Sequence, residues 1–195
     1  MGQLRQVMGQ PAQPKQLQSF DWNFQGSPLQ ANLFTVKLMS QIAESRASNP
    51  AVRTQAVNIL NSAGVQSHDY VSEAVAIGTW VQRNVAYARD SSVAEQLFDP
   101  LTLIEQASRG AARGDCDDMA LLTASLLLAI GHTPFFRCVR YDATTGPYQH
   151  IYVVDYERGP TGATQRIPID CIVKNHAIGY EVAQINGDEF PVLPD

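Results

Sequence analysis

The apolar residues of this chain recur at helical intervals as far as Gly131 and alternate beyond it. That change of period constrains the fold most, because side chains share a face every 3.6 residues on a helix and every 2 on a strand. It predicts helices followed by an antiparallel sheet, an α+β arrangement. Ala31 to Ser48 spaces Phe34, Leu38 and Ile42 four apart, and Asn49-Pro50 stops it. Ala51 to Ala63 puts Val52, Ala56, Ile59 and Leu60 on one face ahead of Gly64, a C-terminal cap. Ser72 to Ala88 carries Val75, Gly78, Val81 and Val85, with Trp80 beside the stripe as a core residue. Residues 89–99 read as a loop. Pro100 then opens a short helix, Leu101 to Ser108, at a position where its missing N–H costs nothing. Past Gly131, Phe135 to Tyr141, His150 to Tyr156 and Thr164 to Asp170 read as strands. Gly/Pro turns at 144–147 and 159–162 separate them. Ile151 to Tyr156 carries apolar groups on both faces, which suits a central strand.

Residues 1–20, with Pro11, Pro14 and five glutamines by Gln16, are expected to form a flexible arm. Residues 21–186 read as one domain and 187–195 as an irregular tail. A hydrophobic share of 45% is enough to build a core, which argues against disorder of the whole chain. A net charge of −5 without a Lys/Arg cluster argues against nucleic acid as a partner. The longest apolar run, Met119 to Ile130, is broken by Thr123 and Ser125 and is too short for a bilayer, so no membrane is expected. The Gln/Pro-rich start does not read as a secretory signal. Three cysteines do not make a disulfide framework, so a reducing, cytoplasmic setting is expected.

The segment Gly114-Asp115-Cys116-Asp117-Asp118 precedes an almost wholly apolar helix. Asp115 is a good N-cap, and Asp118 stands three residues on, as in a capping box. Cys116 then falls in the first turn, where unpaired N–H groups and the helix dipole favour a thiolate of lowered pKa. The neighbouring acids oppose it by like charge. A cysteine at such a place also fits a merely buried residue, since cysteine is among the most buried types. The partners decide between these readings. A thiolate catalyst needs a proton carrier and a group to orient it. His150 starts the central strand and Asp170 ends the next one, so adjacent strands can bring them together.

Three pieces in this order resemble the transglutaminase-like superfamily of papain-like cysteine enzymes. They are Gly114-Asp-Cys-Asp-Asp118 with its apolar helix, His150-Ile-Tyr-Val-Val154 and Ile167-Pro-Ile-Asp170, in a stretch of about 70–175. The resemblance implies Cys116 as nucleophile, His150 as acid/base and Asp170 as the orienting residue. It implies thioester chemistry on the amide of a protein or peptide, ending in hydrolysis or in transfer to an amine. Cys171 departs from the pattern, in which proline usually follows the aspartate. More narrowly, Trp80 to Asp90, Asp99-Pro100 and the cysteine motif are similar to small transglutaminase-like proteins encoded among phage and prophage structural genes. That likeness implies a location in the bacterial host cytoplasm or in the virion. It also implies phage structural proteins as partners of the N-terminal arm. Its other reading is a non-catalytic virion or assembly component that keeps the fold for docking.

Two oxyanion-hole donors are expected: the backbone N–H of Cys116 and the side chain of Gln96, with Trp80 as the substitute. No cofactor or metal is expected. Asp115, Asp117 and Asp118 lack a Gly-containing loop of spaced oxygen ligands. Cys116, Cys171 and His150 lack the paired spacing of a zinc site. His68, His132 and His176 read as surface or turn residues, with His176 as a substitute base. Cys138 reads as a buried filler, and Arg109 and Arg113 as substrate-binding or solubilising residues.

Overall fold

The computed structural model describes residues 19–22, 25–89, 95–158 and 162–193. In chain order the elements are β1 (Ser19–Trp22), α1 (Pro28–Ala47), α2 (Pro50–Ala63), α3 (Tyr70–Asn84), β2 (Ala86–Tyr87) and β3 (Glu95–Phe98). They continue with α4 (Pro100–Ala107), β4 (Arg113–Gly114), α5 (Cys116–Ala129), β5 (Phe135–Arg140), β6 (His150–Arg158), β7 (Thr164–Ile169) and β8 (Asn186–Pro191). Each helix start is chemically marked. Ser27 and Gln30 close a capping box on α1, Asn49 caps α2, Asp69 caps α3 and Asp99 caps α4. Gly64 ends α2 at φ 68°, a left-handed conformation that glycine adopts without strain.

Helix α5 is the axis of the molecule. Every residue from Asp117 to Leu127 is buried. It packs on α1, α2, α3 and α4 and on the sheet strand β6. A helix apolar all round belongs in a core, and burying each of its leucines contributes about 1.5–3 kcal/mol. The sheet runs β7-β6-β5-β8, antiparallel throughout, with β6 and β5 in the middle. Phe136, Val153, Ile167 and Ile169 give it a face in the main core. Polar ties link β6 and β7 to β8 and to the segment that precedes it. Arg166 donates to Glu181 and Glu189 (2.8 and 3.0 Å), and Tyr152 donates to Glu181.

The expected helices and three sheet strands are present, within a few residues at their ends. Four details differ. α3 stops at Asn84, because Val85 is extended and Ala86–Tyr87 pairs parallel with β4. The end of the expected loop is β3, which pairs antiparallel with β1, so Ser19 and Phe20 belong to a strand; residues 1–18 of the expected arm lie outside the described residues. The expected tail contains β8, which adds an edge strand to β5 in register Phe136↔Phe190. Pro191 stands at the end of that edge strand, where its missing N–H is tolerated. Among the described residues no helix is long and apolar enough to cross a membrane.

Candidate active site

Each residue of the Gly114–Asp118 motif has a local job. A Cβ on Gly114 would lie 2.7 Å from Cβ of Asp118, so only glycine lets β4 run this close to the first turn of α5. The fully buried Asp118 carboxylate accepts from the Phe98 N–H (2.7 Å) and from the Asp115 N–H (3.2 Å). It therefore latches the start of α5 to β3. The Asp118 N–H donates to Asp117 Oδ1 (3.0 Å). Asp115 Oδ1 is buried without a hydrogen-bond partner among the described residues. Cys116 is thereby held at the first position of α5, half-buried.

The partners come from the sheet. The β6–β7 register pairs Val153 with Ile169. One step further, Asp170 faces Tyr152, and so lies on the face of β6 that also carries His150. His150 Nε2 and Asp170 Oδ2 are 2.8 Å apart, both buried. Asp170 Oδ1 accepts from the Ile172 N–H (3.3 Å). The next residue, Cys171, is buried between Thr123 Oγ1 and the Gly78 carbonyl, both at 3.5 Å. Cys171 thereby anchors the chain behind Asp170 in the core. Gly78 permits this approach, because a Cβ there would be 2.5 Å from Ile169 Cγ2. The exposed Tyr141 ring stacks on His150, centroids 6.2 Å apart. Burial, with the Asp170 carboxylate and Cys116 behind it, pushes the Tyr141 hydroxyl up to about 12.

Cys116, His150, Asp115, Asp117, Tyr148 and Gln149 share the wall of one cavity of about 200 Å³, closed on one side by Asn32 and Thr35 of α1. The Cys116 thiol is pushed well above its ordinary value, chiefly by burial and then by Asp117 and Asp115. The backbone N–H groups of Ile151 and Asp117 pull the other way and are outweighed. The expectation of a lowered thiol pKa is thus reversed for the resting protein, because burial, and then the two acids beside the sulfur, outweigh the N–H groups of the helix start. The Ile151 N–H contact places the sulfur at the start of β6, one residue from His150.

The other candidates fall elsewhere. Gln96 lies in β3, its amide donates to Ser19 Oγ (3.1 Å), and it is not in the cavity wall. Two amides absent from the sequence reading do line the wall. Asn32 Oδ1 accepts from the Tyr148 N–H (2.8 Å) and Gln149 Oε1 from the Tyr141 N–H (2.7 Å). Nothing in the residue pattern pointed to Asn32, which the fold brings 116 residues along the chain to Tyr148. Trp80 is partly buried against the core, as expected. Cys138 is buried, as expected, its thiol pushed up to about 12 by burial, and it forms part of the cavity wall. Cys171 lies in the core, away from this wall, so it does not join Cys116 and His150 around a common point. Arg109 is exposed and pairs with Glu105 (2.6 Å), and Arg113 is exposed in β4. His176 is exposed, stacked 3.7 Å from Tyr180 and outside the cavity. His132 is the clear correction: it is fully buried, because three carboxylates converge on its ring.

The sequence model of the family described as the transglutaminase-like domain matches residues 55–155, which is 101 of the 195 residues. The chain belongs to that family. Its matched stretch takes in Cys116 and His150 and ends before Asp170. No curated protein and no solved structure matches the chain.

Proposed function

We propose that this transglutaminase-like protein is a cysteine-dependent amide hydrolase or acyl transferase working through a thioester on Cys116. The observation that carries the reading is the buried His150–Asp170 pair at the wall of the cavity that holds Cys116. With Nε2–H donated to Asp170, Nδ1 is the ring nitrogen left to act as base. Because burial and the neighbouring acids disfavour the Cys116 thiolate, proton transfer accompanies attack instead of preceding it. Cys116 Sγ bonds to the amide carbonyl carbon as its proton passes to His150 Nδ1. The carbonyl oxygen becomes an oxyanion. The Cys116 N–H, without an intrahelical acceptor at the first position of α5, is one donor for it. Asn32 and Gln149 offer the side-chain donors, in place of Gln96. When the C–N bond breaks, the proton on His150 leaves with the amine and a thioester remains. Water or a second amine then attacks the thioester carbon, gives its proton to His150, and Cys116 leaves and is reprotonated.

The test is trapping of the acyl-enzyme. The protein is incubated with p-nitrophenyl acetate, quenched in acid and mapped by mass spectrometry. The expected result is a hydroxylamine-labile acetyl group on the Cys116 peptide, formed far more slowly in H150A. Acetylation spread over lysines, or equal in H150A, would contradict the assignment.

A further inference from the structure

We propose that His132, Asp155 and Glu157 bind one divalent first-row transition ion, such as zinc, with Glu73 orienting the imidazole. This site lies beyond the far end of α5 from Cys116 and takes no part in the thioester chemistry. His132 Nδ1 is 2.6 Å from Asp155 Oδ2 and 3.0 Å from Glu157 Oε1. His132 Nε2 is 3.1 Å from Glu73 Oε2. The side chains of His132 and Asp155 have no exposure, and those of Glu73 and Glu157 have 9% and 15%.

Charge is the first argument. Three carboxylates face one imidazole, and among the described residues no lysine or arginine ion-pairs with any of them. Acidic groups outnumber basic ones three to one in a buried place, an excess that burial penalises heavily. A divalent ion removes that excess. Donor geometry is the second argument. One potential ligand atom from each of His132, Asp155 and Glu157 lies within 4.8 Å of the others, the spread a single ion can span. Glu73 supplies what a metal-bound histidine ordinarily has, a carboxylate that accepts the other ring N–H and fixes the tautomer. With Nε2–H given to Glu73, Nδ1 is the ligand atom.

In the ion-free form Nδ1 lies within hydrogen-bond distance of Asp155 and Glu157. An ion would displace any proton held there, and the two carboxylates would move outward by a few tenths of an ångström to reach bond lengths of about 2.0–2.2 Å. An imidazole with two carboxylates suits zinc or its neighbours and not a soft ion. Glu157, the most exposed of the four, is the side of entry. The ion would join α3, the turn after α5, and β6.

Equilibrium dialysis of the chelator-treated full chain against zinc tests this, in wild type, C116A, E73Q and E157Q. One ion per chain is expected in wild type, with equal affinity in C116A. A loss of about 10–100-fold is expected in E73Q, as for other orienting partners, and at least as much in E157Q. Loss of the ion in C116A would place it on the thiol and overturn the proposal. So would the absence of saturable zinc, or unchanged affinity in E157Q. X-ray absorption on the zinc-loaded wild type gives an answer that depends on no variant. An all-nitrogen/oxygen shell at about 2.0–2.1 Å is expected, and a sulfur at about 2.3 Å would contradict it.

Discussion

Two buried histidines flank α5, and the difference between them separates chemistry from architecture. His150 lies at the Cys116 end and His132 just past the other, about 20 Å away at 1.5 Å per residue. Strand β6 runs alongside and supplies a group at each end: His150 itself, and five residues on, Asp155. Each imidazole is held by an aspartate, at 2.8 Å for His150 and 2.6 Å for His132. The resemblance ends there. His150 meets one carboxylate through Nε2 and shares a cavity wall with Cys116. His132 meets three carboxylates, which occupy both of its nitrogens. A histidine with a nitrogen to spare can move a proton to a substrate, whereas one with both engaged can only hold its neighbours together or share them with an ion.

The largest effects test the His150 end. C116A should abolish acyl-enzyme formation, and H150A should slow it about 10²–10⁴-fold, the usual worth of a positioned acid/base, with a smaller loss of stability than H132A because it leaves one buried carboxylate and not three without a partner. At the other end the order inverts. H132A leaves buried carboxylates without their partner and should destabilise the fold by about 3–5 kcal/mol in urea denaturation. The acylation rate of its folded fraction should stay within a few-fold of wild type. Equal effects of H132A and H150A on both readouts would erase the distinction.

Two glycines sharpen the comparison. G114A drives a Cβ against Asp118, and G78A drives one against Ile169, the residue before Asp170. Each should cost about 1–3 kcal/mol, as overpacking does, and each should slow acylation more than a core variant of equal instability. The smallest effect concerns charge. Asp115 and Asp117 push the thiol up, so D115N should bring it down. Below the thiol's pKa the reactive thiolate is the minor form and grows with pH. At a fixed pH near 6.5, alkylation of Cys116 in D115N should therefore be several-fold faster than in wild type. A slower rate would show that Asp115 acts on position and not on charge.

Much of this was legible in the residues, for reasons that can be named. Capping residues and apolar spacing mark the helices because a buried stripe requires them. Cys116, His150 and Asp170 stand at element ends, where neighbouring residues signal the boundary. β8 was not legible, since Asn186-Gly-Asp-Glu-Phe-Pro191 has the composition of a turn. It becomes a strand by pairing with β5, while Arg166 and Tyr156 hold Glu189. The pairing of β1 with β3 joins segments over 70 residues apart, which no local pattern encodes. His132 was hidden by its Gly-His-Thr-Pro setting, which reads as an exposed turn. One sign was available: Asp155 interrupts the otherwise apolar run Ile151–Val154 of a central strand, and a buried aspartate there needs a partner.

The central claim is that His150, held by Asp170, draws the proton from Cys116. It is tested most directly by iodoacetamide labelling of the folded protein near pH 6.5, mapped by mass spectrometry in wild type and H150A. The account predicts that Cys116 is alkylated well ahead of the buried Cys138 and Cys171, and that H150A slows it severalfold or more. A Cys116 that is inert in the folded protein, or that reacts equally fast without His150, would contradict it.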